Sequence, residues 1–207
     1  MPIEEQLPVQ VSTVPFKAPN VFIYYPVIQG LQNKTDQHKI NDNILTNVQL
    51  LIKKQDYYDH PRETEVTGYY ELKNNQRRIL SLTLTNFAYT QHAAHGMTYM
   101  KGLTFDVNSG KSYTLKDLFK PGSPYVQTIS KIIDLQIKRR DITLLNGFPG
   151  IKPNQDFYIA DKCLVVFFQL YEITAYVYGF PMFPISVYEL QDIINEDGPL
   201  GKMLPSN

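Results

Sequence analysis

Three times between Glu63 and Val107 the sequence alternates apolar and polar residues in a two-residue rhythm, over Glu63–Lys73, Arg77–Tyr89 and Met97–Val107. In an extended strand successive side chains point to opposite faces, so each run reads as a strand with two distinct sides. The breaks between them, Asn74-Asn75-Gln76 and Gln91–Gly96, are short, and short connections join antiparallel neighbours. This stretch therefore predicts a three-stranded meander. Along the second strand Leu80, Leu82 and Leu84 share one face while Thr83, Thr85 and Phe87 share the other, which is expected to be half solvated. The third strand ends at Asn108-Ser109-Gly110-Lys111, a tight turn by composition.

Around this meander the elements alternate irregularly. Residues 1–20 read as a proline-bearing extended lead-in able to become an edge strand, and Val21–Val27 as a strand turning at Gln29-Gly30. From Asn33 to Tyr57, Ile40, Ile44, Leu45, Val48, Leu51 and Ile52 recur at steps of three and four, so a helix is expected, capped by Thr35 or Asp36 and stopped by Asp56–Pro61. After the meander, Leu115–Phe119 reads as one helical turn. Ser123 is then expected to cap a second helix with Pro124 at its first position, closed by Lys138, Arg139 and Arg140. Thr143–Gln155 is irregular, Phe157–Ala160 and Cys163–Leu170 read as strands with the second one central, and Gly179–Pro184 is a rigid apolar turn. A short strand, Ile185–Val187, and a last helix, Tyr188–Ile194, precede a polar tail. The order predicts an α+β fold: an antiparallel or mixed sheet with two main helices packed on it. Its organisation reads as an arm over 1–20, one compact domain over 21–195 with halves 21–112 and 113–195, and a tail over 196–207.

Charge and composition exclude several functions. Twenty basic and twenty acidic residues cancel, so no global field draws the chain to nucleic acid. The single cysteine, Cys163, rules out an intramolecular disulfide and, beside the apolar run Leu164–Phe168, reads as a buried thiol. Met1–Gln10 carries Glu4 and Glu5 where a signal peptide has a basic start, and no run approaches the ~20 apolar residues of a membrane span. No Gly-x-Ser-x-Gly elbow and no glycine-rich phosphate loop occurs. The pairs Glu63/Glu65 and Asp134/Asp141 read as solvated charges. His92 and His95 are close in sequence, but no third histidine stands nearby to complete a metal site, so neither metal nor cofactor is expected.

Aromatic density is the feature left over. Fifteen Tyr and eleven Phe against no Trp exceed what one core needs, and the remainder supply low-entropy contact area for protein surfaces or sugar rings. The candidate binding residues are Tyr89, His92, His95 and Tyr99 around the break in the meander, and Tyr178, Phe180 and Phe183 beside the proline turn.

Four segments taken together resemble a bacterial family. They are Tyr24-Tyr25-Pro26-Val27-Ile28-Gln29-Gly30-Leu31; the pair His95-Gly96; Thr104-Phe105-Asp106 through Gly110-Lys111 to Leu115-Lys116-Asp117-Leu118-Phe119; and Phe157-Tyr158-Ile159 through Tyr171-Glu172-Ile173, Tyr176 and Gly179. Their order over about residues 20 to 195 is similar to the extracytoplasmic lysozyme-sensing domain of anti-sigma-V factors, and to a non-catalytic domain of a membrane-attached peptidoglycan deacetylase. The resemblance implies a non-catalytic, cell-envelope-related domain that binds a lysozyme-like protein or a peptidoglycan-type glycan. Two other classes stand beside it: a metal-dependent hydrolase using His92 and His95, and a structural surface or spore-associated assembly protein. The compartment stays open, because the missing export signal reads as cytoplasmic for a complete chain whereas the resembled family lies outside the membrane.

Overall fold

In a computed structural model, residues 9–204 are described. The chain forms two compact units, Met1–Ser112 and Tyr113–Asn207. The export-signal expectation for Met1–Gln10 falls mostly on residues 1–8, outside the described residues.

The first unit is a five-stranded mixed sheet with one long helix. Its strands are β1 (Gln10–Ala18), β2 (Val21–Gln29), β3 (Thr64–Gln76), β4 (Ile79–Thr90) and β5 (Met97–Asp106), hydrogen-bonded in sequence order. All neighbours are antiparallel except β2 and β3, which pair in parallel over Val21–Ile23 and Val66–Gly68. That one parallel contact follows from the helix α1 (Lys34–Lys54), a crossover that brings the chain back in the same direction. Ile40, Ile44, Val48, Leu51 and Ile52 of α1 pack with Ile23, Val66, Leu80, Leu82, Leu84, Leu103 and Phe105 of the sheet. Each such fully buried aliphatic side chain contributes about 1.5–3 kcal/mol relative to exposure.

Local details depart from the sequence reading for identifiable reasons. Asn33, not Thr35 or Asp36, caps α1, its side-chain oxygen accepting from the backbone N–H of Thr35 at 3.0 Å and Asp36 at 3.4 Å. The β3–β4 turn falls at Arg77-Arg78, both at positive φ (51° and 64°), because a bulge between Leu72 and Asn74 carries the pairing on to Gln76. Asn74 and Asn75 are spent on bonds: Asn74 Nδ2 donates to Ile79 O at 2.7 Å, and Asn75 grips the backbone of Val9 through both its amide atoms. The half-solvated face expected on β4 is buried over its first part. There Ser81, Thr83 and Thr85 are inaccessible, and the hydroxyls of Ser81 and Thr104 pair across β4 and β5 at 2.9 Å.

The second unit is a three-stranded antiparallel sheet of β6 (Phe157–Ala160), β7 (Cys163–Phe167) and β8 (Met182–Ser186), with β7 central and a second helix, α2 (Tyr125–Arg139). Pro124, rather than Ser123, stands at the N-cap of α2, and the Ser123 hydroxyl is buried without a partner. The helix expected over Tyr188–Ile194 is only a 3-10 turn, Val187–Leu190, held by a capping box between Ser186 and Glu189. It cannot continue because the following backbone is committed elsewhere: Lys120 N donates to Ile193 O at 2.9 Å and Asn195 N to Leu118 O at 3.0 Å. Cys163 is half-buried rather than buried, being the first residue of its strand.

Strand β8 lies at a sheet edge, and α2 closes it. Gln136 Nε2 donates to Pro184 O at 2.7 Å and Arg140 to Met182 O at 2.8 Å, so two side chains one helical turn apart cover alternate outward carbonyls. Pro184 sits where a strand needs no donor toward its inner neighbour, the one place an edge strand accepts proline. The basic cluster at the helix end thus has a structural role for Arg140 beyond the helix dipole. Arg140→Ala is expected to lower the stability of this unit by about 1 kcal/mol, and Gln136→Ala with it by about 2 kcal/mol, in urea denaturation. An unchanged midpoint in the double variant would show that water satisfies both carbonyls equally well.

Candidate functional site

The face of the five-stranded sheet that turns away from α1 divides into two zones of opposite character. Where β4 and β5 are deepest, the face buries hydroxyls: Ser81, Thr83, Thr85 and Thr104 are 0–4% exposed. Farther along the same face stand five rings, Phe22, Tyr24, Tyr69, Phe87 and Tyr89, each between 39% and 54% exposed. Solvation alone would select the reverse, hydroxyls in water and rings inside.

Register places these rings. Lys17 on β1 pairs with Phe22 on β2, Phe22 with Thr67 on β3, Thr67 with Phe87 on β4, and Phe87 with Thr98 on β5. Directly opposed residues share a face, so Lys17, Phe22, Thr67, Phe87 and Thr98 form one row perpendicular to the strands. Tyr24 and Tyr69 lie two residues on from Phe22 and Thr67, and Glu65 pairs with Tyr89 on the other flank. Within the cluster Phe22 and Tyr24 meet edge to face at 4.9 Å between centroids, and the Lys17 ammonium sits 5.4 Å from the Phe22 centroid. Gly96 supports Phe87, since a Cβ there would collide with the ring. Two strand spacings, ~10 Å, separate Phe22 from Phe87.

Of the residues singled out in the sequence, the structure gathers some and disperses others. Tyr89 belongs to the ring cluster. His92 and His95 are exposed in the β4–β5 connection that follows it, His92 at φ 68° and His95 with its Nδ1 2.9 Å from Gly96 O. Tyr99 lies on the opposite face, half-buried against the α1 core with the Lys54 ammonium 4.1 Å from its ring centroid. In the second unit Tyr178 is exposed, Phe180 is half-buried, and Phe183 is fully buried against Phe168 with centroids 5.8 Å apart. Phe22 and Tyr24 escaped the sequence reading because they join this face only once the parallel β2–β3 pairing is known, whereas Tyr69 and Phe87 share it through the antiparallel β3–β4 pairing.

A second exposed aromatic group lies on the β7–β8 connection, where Tyr171 and Tyr176 stand 5.5 Å apart and Val177 is 86% exposed between Tyr176 and Tyr178. Its base is pinned by Leu145 N donating to Ile173 O at 2.9 Å and by the Lys152–Glu172 ion pair at 2.8 Å.

Among the described residues no three His, Cys, Asp or Glu side chains group to hold a metal ion. Burial pushes the Tyr125 phenol up from its ordinary value, and that side chain is structural: it stacks on Phe119 at 5.0 Å and donates to Pro153 O at 3.0 Å. No helix among the described residues is long and apolar enough to cross a membrane.

Comparison with known proteins places the fold. Residues 116–188 match the family described as "Protein of unknown function (DUF3298)". Two solved structures share the architecture over nearly the whole chain. A member of the DUF3298 family from Bacteroides fragilis NCTC 9343 superposes with a TM-score of 0.73 at 12% identity, covering 94% of this chain and 97% of its own. A DUF3298 family protein from Pseudomonas aeruginosa PAO1 gives 0.69 at 14% identity, covering 98% of this chain and 100% of its own. The search of curated proteins found no match. The DUF3298 match includes α2, β6, β7, the exposed connection over 171–178 and β8, and the fold likeness to these two solved structures extends over the five-stranded sheet as well.

Proposed function

We propose that the chain is a non-catalytic binding module of the cell envelope that recognises a peptidoglycan-type glycan on the ring-bearing face of its five-stranded sheet. The observation that carries this reading is the inversion on that face, where hydroxyls are buried and Phe22, Tyr24, Tyr69, Phe87 and Tyr89 are left in water. Pyranose rings present flat C–H faces to aromatic rings and hydroxyls to the polar groups between them, and the row alternates rings with Thr67 and Thr98 to meet both. The resemblance to envelope domains that meet lysozyme or peptidoglycan points the same way, and a lysozyme-like protein is the second reading it supports.

Calorimetric titration separates the two. Chitooligosaccharides and soluble peptidoglycan fragments are expected to bind with Kd in the millimolar to micromolar range, and the Phe22→Ala/Phe87→Ala double variant to weaken that binding at least thirtyfold, at ~1–3 kcal/mol per stacked ring. Both rings are exposed, so the variant is expected to fold with a nearly unchanged melting temperature. Lysozyme binding in place of glycan binding would move the module to the protein-recognition reading, and binding of neither at millimolar ligand would remove both.

A further inference from the structure

The ring row is not symmetric along its length. Its β1 end carries an ammonium, Lys17, while its β3 and β4 rings are flanked by Glu65, paired across the strands with Tyr89, and by Glu71, two residues beyond Tyr69, whose carboxylate meets the Lys73 ammonium at 3.1 Å. Lys17 is exposed and makes no ion pair among the described residues; its contact is with the Phe22 ring, 5.4 Å from ammonium to centroid. Lys17 and Glu65 stand two strands apart and two residues out of line along them, ~12 Å at the backbone, a little more than the length of a disaccharide.

Resting on the glycan reading above, we infer that the preferred ligand is an acidic glycan, a β-linked amino-sugar chain bearing carboxylates, laid across the strands with a carboxylate at Lys17. One disaccharide of such a chain covers Phe22 and the Thr67–Phe87 stretch beside it. Charge then sets its direction. A carboxylate is attracted to the β1 end by Lys17 and repelled from the β3–β4 region by Glu65, so the acidic sugar stacks on Phe22 and its neutral neighbour occupies the Thr67–Phe87 stretch. Glu65 accepts hydroxyl or amide protons from the neutral sugar. Because the ammonium is already held beside the ring, little side-chain freedom is lost when the carboxylate arrives.

The test uses two tetrasaccharides with the full chain: an N-acetylglucosamine tetramer, which is uncharged, and a tetramer of alternating N-acetylglucosamine and N-acetylmuramic acid, which carries a carboxylate on every second ring. The unaltered protein is expected to prefer the acidic tetramer about fivefold at low salt, with the preference shrinking as salt rises. Lys17→Ala is expected to abolish that preference by weakening the acidic tetramer about fivefold more than the neutral one, and Lys17→Arg to keep it. Equal weakening of both ligands by Lys17→Ala, or no effect on either, overturns the inference but leaves the glycan reading standing. Failure of both tetramers to bind the unaltered protein overturns the two together.

Discussion

Replacing Gly110 with alanine is expected to destabilise the N-terminal unit by about 3 kcal/mol or more, the sum of backbone strain and a collision. Gly110 closes the turn after β5 at φ +66°, where its N–H donates to Asp106 O at 2.9 Å and the Asp106 carboxylate accepts from the N–H groups of Asn108 and Ser109 at 2.9 and 3.3 Å. A left-handed conformation costs a residue with a Cβ roughly 1–2 kcal/mol. The second contribution is particular to this site. A Cβ on Gly110 would lie 2.9 Å from Asp36 O and 3.0 Å from Asp36 Cα, and those are backbone atoms in the first turn of α1 that no rotamer change can move. Relief would require shifting the start of a helix already fixed by its Asn33 cap and by Ile40 in the core. Gly122→Ala supplies the control: its φ is +77°, but nothing lies within 4 Å of the added carbon, so only about 1 kcal/mol of strain is expected. Urea denaturation of both variants separates the two costs. Equal losses would mean that the turn does not press on α1 at all.

What the sequence made legible was whatever depends on near neighbours. The meander followed from alternation between Glu63 and Val107, and α1 from the spacing of Ile40, Ile44, Val48 and Ile52, because both signals are local periods that burial then reinforces. Positions decided by long-range pairing were not legible. Asparagines at 74 and 75 looked like a turn because that is what short amides usually do in isolation. Here Asn75 instead binds the backbone of Val9, 66 residues away, and the turn falls on two arginines. Tyr188–Ile194 reads as helical, but its end is claimed elsewhere, Ile193 O by Lys120 and the next residue but one, Asn195, by Leu118 O. The candidate site shows the same division. Alternation alone sets Phe87 and Tyr89 on one side of β4, and Tyr89 is among the residues the sequence singles out. Tyr69 joins them through the antiparallel β3–β4 ladder, but Phe22 and Tyr24 do so only through the parallel contact of Val21–Ile23 with Val66–Gly68, for which the sequence has no local marker. Tyr99 went astray by a single step, since one residue along β5 reverses the face and turns it toward α1.

Phe183 was read from its setting in Gly179–Pro184 as an exposed binding ring, and Phe183→Ala is expected to show that it is core, with a loss of about 3–5 kcal/mol from the C-terminal unit. The side chain is 0% exposed, packs edge to face on Phe168 at 5.8 Å between centroids, and has the Arg140 guanidinium carbon 5.2 Å from its ring centroid. It sits on β8 opposite Val166 of the central strand, so the cavity left by its removal would open between two sheet strands whose positions are fixed by the ladder and could collapse only in part. Prolines at 181 and 184 misdirected the reading: they mark rigid backbone, and here the rigid backbone is an edge strand whose alternate residues Phe183 and Ile185 face inward. The exposed counterpart is Tyr178, at 46%, and Tyr178→Ala is expected to change stability by no more than ~0.5 kcal/mol. Thermal and urea denaturation of the two variants, with ligand titration beside them, give opposite patterns for the two roles. A ring that serves the core lowers the melting temperature and leaves the affinity of the remaining folded protein intact; a ring that serves a partner does the reverse. A Phe183→Ala protein that kept its stability and lost its ligand would return this residue to the binding surface and require β8 to turn its other face inward.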